Sequence, residues 1–281
     1  MITVIICFYD EIEFINLSLE SLQKQNIDDL EIILVDDFSN YEAQLKSICN
    51  SFRSLNIIYL RNEKNIGLAR SRNKGLENAK GDYISFLDSD DEYLPDKLKK
   101  QYEHLKKGKF DIVYCKELVK SENGLFERDC NRNFDLEILI KDQYINLNTL
   151  LISKKILNKY KISFNNDELS RYGEDLEFLI ELRKNTNNIY FIDEFLTISR
   201  RRSNNHRNYK MIWKEFEKLE KLFSDYLYDK DLVEYKKIIK QKITVVTLKK
   251  NIAYILSNNK KKFINNFSKI FKFQTLKIKI L

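Results

Sequence analysis

Apolar and polar positions alternate in blocks along the first 115 residues. Residues 3–7 (TVIIC), 31–35 (EIILV), 56–60 (NIIYL), 83–87 (YISFL) and 111–114 (DIVY) are short apolar runs rich in β-branched side chains. Nearly continuous runs of this length predict strands buried on both faces. Between them the spacing turns helical. Apolar residues fall at 12, 15, 19 and 22 within 12–25, and similar patterns cover 41–52 and 68–79. Leu98, Tyr102 and Leu105 follow Pro95, which suits a first helical turn, and Gly81 stands near a helix C-cap. Four βα repeats imply an α/β fold, a mostly parallel sheet flanked by helices.

The pattern is mixed from about 116 to 205. Strands are expected at 148–152 and 189–192, and a helix at 174–183. From about 207 the chain reads as helical. One stripe joins Ile212, Phe216, Leu219, Phe223 and Tyr226. A second joins Phe263, Ile264, Phe267, Ile270 and Phe271.

Composition narrows the function classes. The chain has 281 residues and is 43% hydrophobic and 32% charged, enough for a sizeable core. Two histidines, His104 and His206, leave little from which to build a His-rich zinc site or a His-based triad. Four cysteines form no CxxC pair, which suits reduced thiols in a cytosolic protein. The net charge of +7 is unevenly spread. Residues 236–281 hold 13 lysines and no acidic residue, whereas residues 1–235 sum to −6. A basic tail of this kind suits an anionic membrane surface, and equally a solvated helix face. No recognised nucleic-acid motif accompanies it. The apolar start lacks a basic leader region, and no run of 18 apolar residues exists to span a bilayer as a helix.

In open α/β sheets, ligands bind beyond the carboxyl ends of the strands. The expected strand ends carry Phe8-Tyr9-Asp10-Glu11, Asp36-Asp37, Arg61-Asn62 with Asn65 and Gly67, and Asp88-Ser89-Asp90-Asp91. Carboxylates so concentrated call for a cation, and oxygen-only ligands favour Mg²⁺ or Mn²⁺. The chain has no GxGxxG, no GxxxxGK[ST] and no GxSxG, so dinucleotide, P-loop and nucleophile-elbow sites are excluded.

Four ordered segments then resemble the family 2 glycosyltransferases, which have the GT-A fold. They are TVIICFYDEIEFINLSLESLQKQ, LEIILVDDFSN, NEKNIGLARSRNKGLENAKGDYISFLDSDD and DEYLPDKL, together spanning about 100 residues. Further on, RYGEDLEFLIELR resembles the family helix that carries the catalytic base. The resemblance implies an inverting, metal-dependent sugar transfer of the bacterial surface-polysaccharide and lipopolysaccharide kind. The donor would be a nucleotide-sugar, with UDP favoured. The acceptor would be a hydroxyl of a glycan or lipid-linked glycan.

Roles follow position by position. Cys7 and Tyr9 fall where the first loop meets the nucleotide base, and Asp37 where a carboxylate accepts from the uracil imide. Arg72 falls near the base and pyrophosphate. Asp88, with Ser89, falls near the ribose. Asp90 falls at the ligand position for Mn²⁺ or Mg²⁺, and Asp175 at the general-base position with Glu174 beside it. The sequence departs from the family at Cys7, where Pro or Thr is usual, and at Asp10, where Asn is usual. The run from Arg200 to Arg207 suits a clamp on a diphosphate or an anionic acceptor.

Residues 1–205 are therefore expected to form a GT-A catalytic domain. Its nucleotide-sugar half would be 1–115 and its acceptor half 116–205. Residues 206–281 would form a basic helical C-terminal region, peripheral on the inner face of the membrane of a cytoplasmic enzyme. The rival reading is a catalytically silent sugar-nucleotide or partner-binding subunit of a polysaccharide assembly complex.

Overall fold

The structure, a computed structural model, describes residues 1–128, 134–142, 145–166, 173–201 and 209–270. The chain divides into two compact units, Met1–Asn204 and Asn205–Leu281.

The first unit is built on a nine-stranded sheet among the described residues. Its strands are β1 (Ile2–Phe8), β2 (Leu30–Asp36), β3 (Asn56–Arg61), β4 (Tyr83–Phe86), β5 (Glu92–Tyr93), β6 (Ile112–Ser121), β7 (Gly124–Arg128), β8 (Leu151–Ser153) and β9 (Ile189–Arg200). The order is β3-β2-β1-β4-β8-β6-β9-β5, with β7 added to β6 as a hairpin. β1 pairs in parallel with β2 and β4, and β2 pairs in parallel with β3. Ile5 faces Ile33 on one side and Phe86 on the other, all buried, as the continuous apolar runs require. Beyond β4 the sheet becomes mixed: β8 is antiparallel to β4 and β6, and β9 is parallel to β6. The parallel character expected of the whole sheet is concentrated in its first four strands.

Helices α1 (Ile15–Gln23), α2 (Glu42–Ser51), α3 (Leu68–Asn78) and α4 (Lys97–Leu105) fill the expected crossovers. α1 starts three residues later than the periodicity suggests. Asp10 is left-handed at φ 54°, and its carboxylate accepts from the Asn40 N–H at 2.8 Å, so the chain turns before it coils. Pro95 precedes α4 rather than opening it, because Asp96 is also left-handed at φ 62°. Gly81 is no helix cap. A Cβ there would sit 2.7 Å from the Thr3 amide nitrogen, so glycine is needed for close approach to β1.

The middle of the chain departs further from expectation. The strand expected at 148–152 is a 3₁₀ turn at Leu147–Thr149 followed by β8. The Thr149 hydroxyl donates to the Asn146 carbonyl at 2.6 Å and draws the local backbone out of the ladder. β6 and β9 run well past the expected strands, into polar sequence. Helices α5 (Leu136–Asp142), α6 (Lys154–Tyr160) and α7 (Glu174–Asn185) complete the unit.

The second unit pairs α8 (Tyr209–Tyr226) with α9 (Lys236–Ile270) through a 3₁₀ turn at Lys230–Tyr235. Phe223 and Tyr226 of the expected stripe are buried, with Leu232, Ile239, Val246 and Ala253. The seven-residue step from 239 to 253 is what a helix needs to keep one seam against a partner. The Glu220 carboxylate accepts from Thr247 and Lys250, and their hydrogen bonds hold it below the usual carboxylate range. The apolar stripe at 263–271 lies outside the residues whose side chains are described. No helix among the described residues is long and apolar enough to cross a membrane.

Candidate active site

The carboxyl ends of β1, β2 and β4 open on one cleft of about 450 Å³. Cys7, Phe8 and Tyr9 form its β1 wall. Tyr9 is 50% exposed, so its ring has a free face. Burial pushes the Cys7 thiol up to about 12, despite the opposing pull of Arg72, so it is neutral at any physiological pH.

The two aspartates after β2 have different surroundings. Asp36 is fully buried and accepts from the Ser39 N–H at 2.8 Å and the Tyr59 hydroxyl at 2.5 Å, and it pairs with Arg61. It closes the loop and does not line the cleft. Asp37 does line it and is 4% exposed. Its Oδ1 accepts from Asn62 Nδ2 at 2.9 Å and the Ile66 N–H at 2.8 Å, and its Oδ2 from the Gly67 N–H at 2.8 Å. Three donors pin the segment that leads into α3. They also leave Asp37 with acceptor capacity to spare, since a carboxylate has about four lone-pair sites.

After β4 come Asp88, Ser89 and Asp90, all on the cleft wall. Asp88 is 40% exposed along its side chain. Asp91 turns away into the interior, where it accepts from Asn148 Nδ2 at 2.7 Å and the Arg200 N–H at 2.7 Å. Burial, with Asp88 and Asp90 adding like charge, raises its pKa well above the usual carboxylate value.

Arg72 joins this loop to α7. From inside α3 its Nη2 donates to Asp88 Oδ1 at 3.1 Å and its Nη1 to Asp175, with Glu174 3.8 Å away. Its guanidinium lies 5.3 Å from the centre of the Phe164 ring. Burial works against its charge, but Asp175, Asp88 and Glu174 more than offset this and raise its pKa. The sequence points Arg72 at the donor, whereas its nitrogens serve the carboxylates of the site. Like charges brought this close need a fixed countercharge. Glu174 lines the cleft; Asp175 is 28% exposed along its side chain.

A divalent cation fits part of this arrangement. Asp88 and Asp90 offer oxygen donors on one wall. Among the described residues no group of three or more His, Cys, Asp or Glu is arranged to enclose a metal ion. That donor set suits Mg²⁺ or Mn²⁺ held by one or two carboxylates and completed by substrate phosphates and water, rather than a closed protein cage.

The glycosyl transferase family 2 model matches residues 3–159. The chain belongs to that family. The enzyme is 28% identical over 205 residues to an uncharacterised glycosyltransferase of Methanocaldococcus jannaschii, covering 70% of this chain and 69% of that one. It is 27% identical over 165 residues to the UDP-Glc:α-D-GlcNAc-diphosphoundecaprenol β-1,3-glucosyltransferase of Escherichia coli, covering 58% and 64%. Among solved structures it resembles S. aureus TarS 1-349 in complex with UDP-GlcNAc. The TM-score is 0.69 at 21% identity, over 97% of this chain and 76% of that one. That likeness shows the fold, which is GT-A.

Some residues of the glycosyltransferase site escaped the sequence reading. Ser71 lines the cleft from α3 and hydrogen-bonds Asn62 at 3.0 Å. Asn148 supports Asp91 from the 3₁₀ turn that stands where a strand is expected. Arg200, expected in a basic clamp, is bound to the acidic loop. Cys130, Arg202, His206 and Arg207 lie outside the described residues.

Proposed function

We propose that the enzyme is a metal-dependent inverting glycosyltransferase that moves a sugar from a UDP-sugar to a hydroxyl of a glycan or lipid-linked glycan, in the synthesis of a bacterial surface polysaccharide. The observation that carries this reading is the convergence of Asp88, Asp90 and Glu174 on one cleft, with Arg72 tying Asp88 to Asp175. The activity that names the E. coli relative and the UDP-GlcNAc bound by the S. aureus neighbour support the donor class and the setting.

In this reading residues 1–115 bind the donor and 116–205 shape the acceptor site. The basic region 206–281 brings the cytoplasmic enzyme to the inner face of the membrane, through the lysines of 236–281. Tyr9 stacks on the base beside Cys7. Asp37 holds the segment 62–67 and accepts from the uracil imide. Asp88, with Ser89, meets the ribose. Asp90 would hold Mn²⁺ or Mg²⁺ together with the donor phosphates. Bound there, the cation would stabilise charge developing on the departing diphosphate.

The acceptor oxygen bonds to the anomeric carbon as the bond from that carbon to the diphosphate oxygen breaks. Attack opposite the leaving group inverts the centre. Asp175 takes the proton from the acceptor hydroxyl. Glu174 flanks it, and Arg72 keeps Asp175 and Asp88 in a fixed relation, which serves in-line alignment.

A thermal-shift screen tests the reading, with UDP, GDP, dTDP and CMP each in Mn²⁺ and in EDTA. UDP with Mn²⁺ should raise Tm, because a ligand at 100 times its Kd stabilises by about 2.7 kcal/mol. Asp90→Ala should abolish the part of the shift that depends on Mn²⁺. Folded protein that responds to no nucleotide would instead favour a catalytically silent partner-binding subunit.

A further inference from the structure

Arg200 is the last residue of β9 and lies 110 residues beyond Asp90 in sequence, in the other half of the sheet. Its bonds nevertheless converge on three consecutive residues, two at the end of the acidic loop and the first of β5. Its backbone N–H donates to Asp91 Oδ1 at 2.7 Å. Its Nε donates to the carbonyl oxygen of Asp90 at 3.0 Å, and its Nη2 to Glu92 Oε1 at 2.6 Å. The guanidinium lies 4.8 Å from the centre of the Phe14 ring, on the connection between β1 and α1. The side chain is 13% exposed.

A single ion pair to Glu92 would be an ordinary surface feature of small energetic weight. Arg200 is different because one planar group makes two directed bonds and a cation–π contact at once, which a lysine cannot reproduce. The bond to the Asp90 carbonyl matters most. It fixes the peptide that follows Asp90, and that peptide sets the direction in which the Asp90 side chain leaves the backbone. Asp91 is anchored from the same strand end and from Asn148. Residues 90–92 are thus held by β9, while Asp90 itself faces the cleft.

We propose that Arg200 is a positioning residue for sugar transfer. It orients the Asp90 carboxylate toward the donor phosphates by clamping the acidic loop from the end of β9. The inference rests on the reading of Asp90 as the ligand of a divalent cation. It assigns Arg200 a role inside the protein, in place of direct contact with a diphosphate.

The test is Mn²⁺ binding to the full chain in the presence of UDP, read from the electron paramagnetic resonance signal of free Mn²⁺. The variants are Arg200→Gln, Arg200→Lys, Glu92→Gln and Asp90→Ala, each checked for a cooperative melt. Loss of an outer partner of a metal ligand typically weakens metal affinity about 10–100-fold. Arg200→Gln should fall in that range, Arg200→Lys should recover only part of the loss, and Glu92→Gln should fall less. UDP affinity measured in EDTA should stay the same in Arg200→Gln and Arg200→Lys. Wild-type Mn²⁺ affinity in Arg200→Gln, with affinity lost in Asp90→Ala, would overturn the inference and leave the metal reading intact. Wild-type affinity in Asp90→Ala would overturn the metal reading and this inference with it. If Arg200→Gln does not fold, unchanged Mn²⁺ affinity in both Arg200→Lys and Glu92→Gln overturns the proposal.

Discussion

The two halves of the catalytic sheet solve different problems. From β3 to β4 every pairing is parallel, every strand is a short apolar run, and the cleft residues leave the strand ends in consecutive loops. From β8 to β5 the pairings are mixed, and β6 and β9 shift register between Cys115 and Glu117. Glu117 is fully buried on β6 and is held there by Arg128 and Asn146. The first half is a regular scaffold that presents loops. The second supplies braces, in Asn148 and Arg200, and carries α7, whose first residues reach the site. Arg72 and Arg200 are the ties between them.

The largest effect should come from the tie through Arg72. Asp175→Asn keeps the shape of the side chain but removes the proposed proton acceptor. General-base catalysis contributes about 10²–10⁴-fold, so kcat should fall in that range while KM for the donor changes little. Single-turnover rates with a UDP-sugar and its acceptor would measure this. A kcat within a few-fold of wild type would shift the base to Glu174, which already lines the cleft.

The first half was legible because its signals are local. A parallel strand buried on both faces must be apolar along its length, and its partner helix must show a 3.6-residue period. β1, β2 and β4 obey the first rule and α1 to α4 the second, so these elements, to within a few residues at the helix starts, and the strand ends bearing Tyr9, Asp37 and Asp88–Asp90 could be read directly; β3, at the sheet edge, is only part-buried, and the two-residue β5 gave no signal. The second half was less legible because its pairings are non-local. KELVKS at the end of β6 shows no continuous apolar run, yet it is sheet because β7 and β9 cover its two edges. The place of Arg200 depends on β5 meeting β9, which no window of sequence contains. The burial of Arg72 was also hidden, since three carboxylates from two distant segments create the need for it.

Lys97 probes the helix that bridges the halves. It is fully buried in α4, with its Nζ 3.9 Å from the centre of the Tyr93 ring and 3.4 Å from Ser85 Oγ. Burial lowers its pKa from 10.5 to about 7. The unfolded chain therefore binds a proton that the native protein does not, between pH 7 and 10.5. Stability should rise with pH across that window, by at most about 1.4 kcal/mol per pH unit from this group. Lys97→Met removes the titration. The variant should be more stable than wild type at pH 7, and its advantage should shrink toward pH 10. Urea denaturation at several pH values reads the difference directly; parallel curves for the two proteins would show that the buried amine carries no such cost.

The smallest effects should still separate the halves by mechanism, through one glycine in each. At Gly81, in the first half, the limit is space: an added Cβ would lie 2.6 Å from Thr3 Oγ1 and 2.7 Å from the Thr3 nitrogen. Gly81→Ala must push apart the β1 end of the parallel sheet, and overpacking of this kind costs about 1–3 kcal/mol. At Gly124, in the β6–β7 hairpin, a Cβ would meet nothing within 4 Å, but φ is +122°. Gly124→Ala is opposed by backbone conformation alone, and incompatible φ values of this kind cost somewhat more than about 1 kcal/mol. The two sites should also differ in their response to side-chain size. Gly81→Leu should lose more than Gly81→Ala, because space is the limit there. Gly124→Leu should lose about as much as Gly124→Ala, because the backbone cost is the same and the Cβ lies in open space. Chemical denaturation of the four variants against the wild type measures both. An equal response to size at the two sites would mean that the regular and the braced halves respond to crowding and to strain alike.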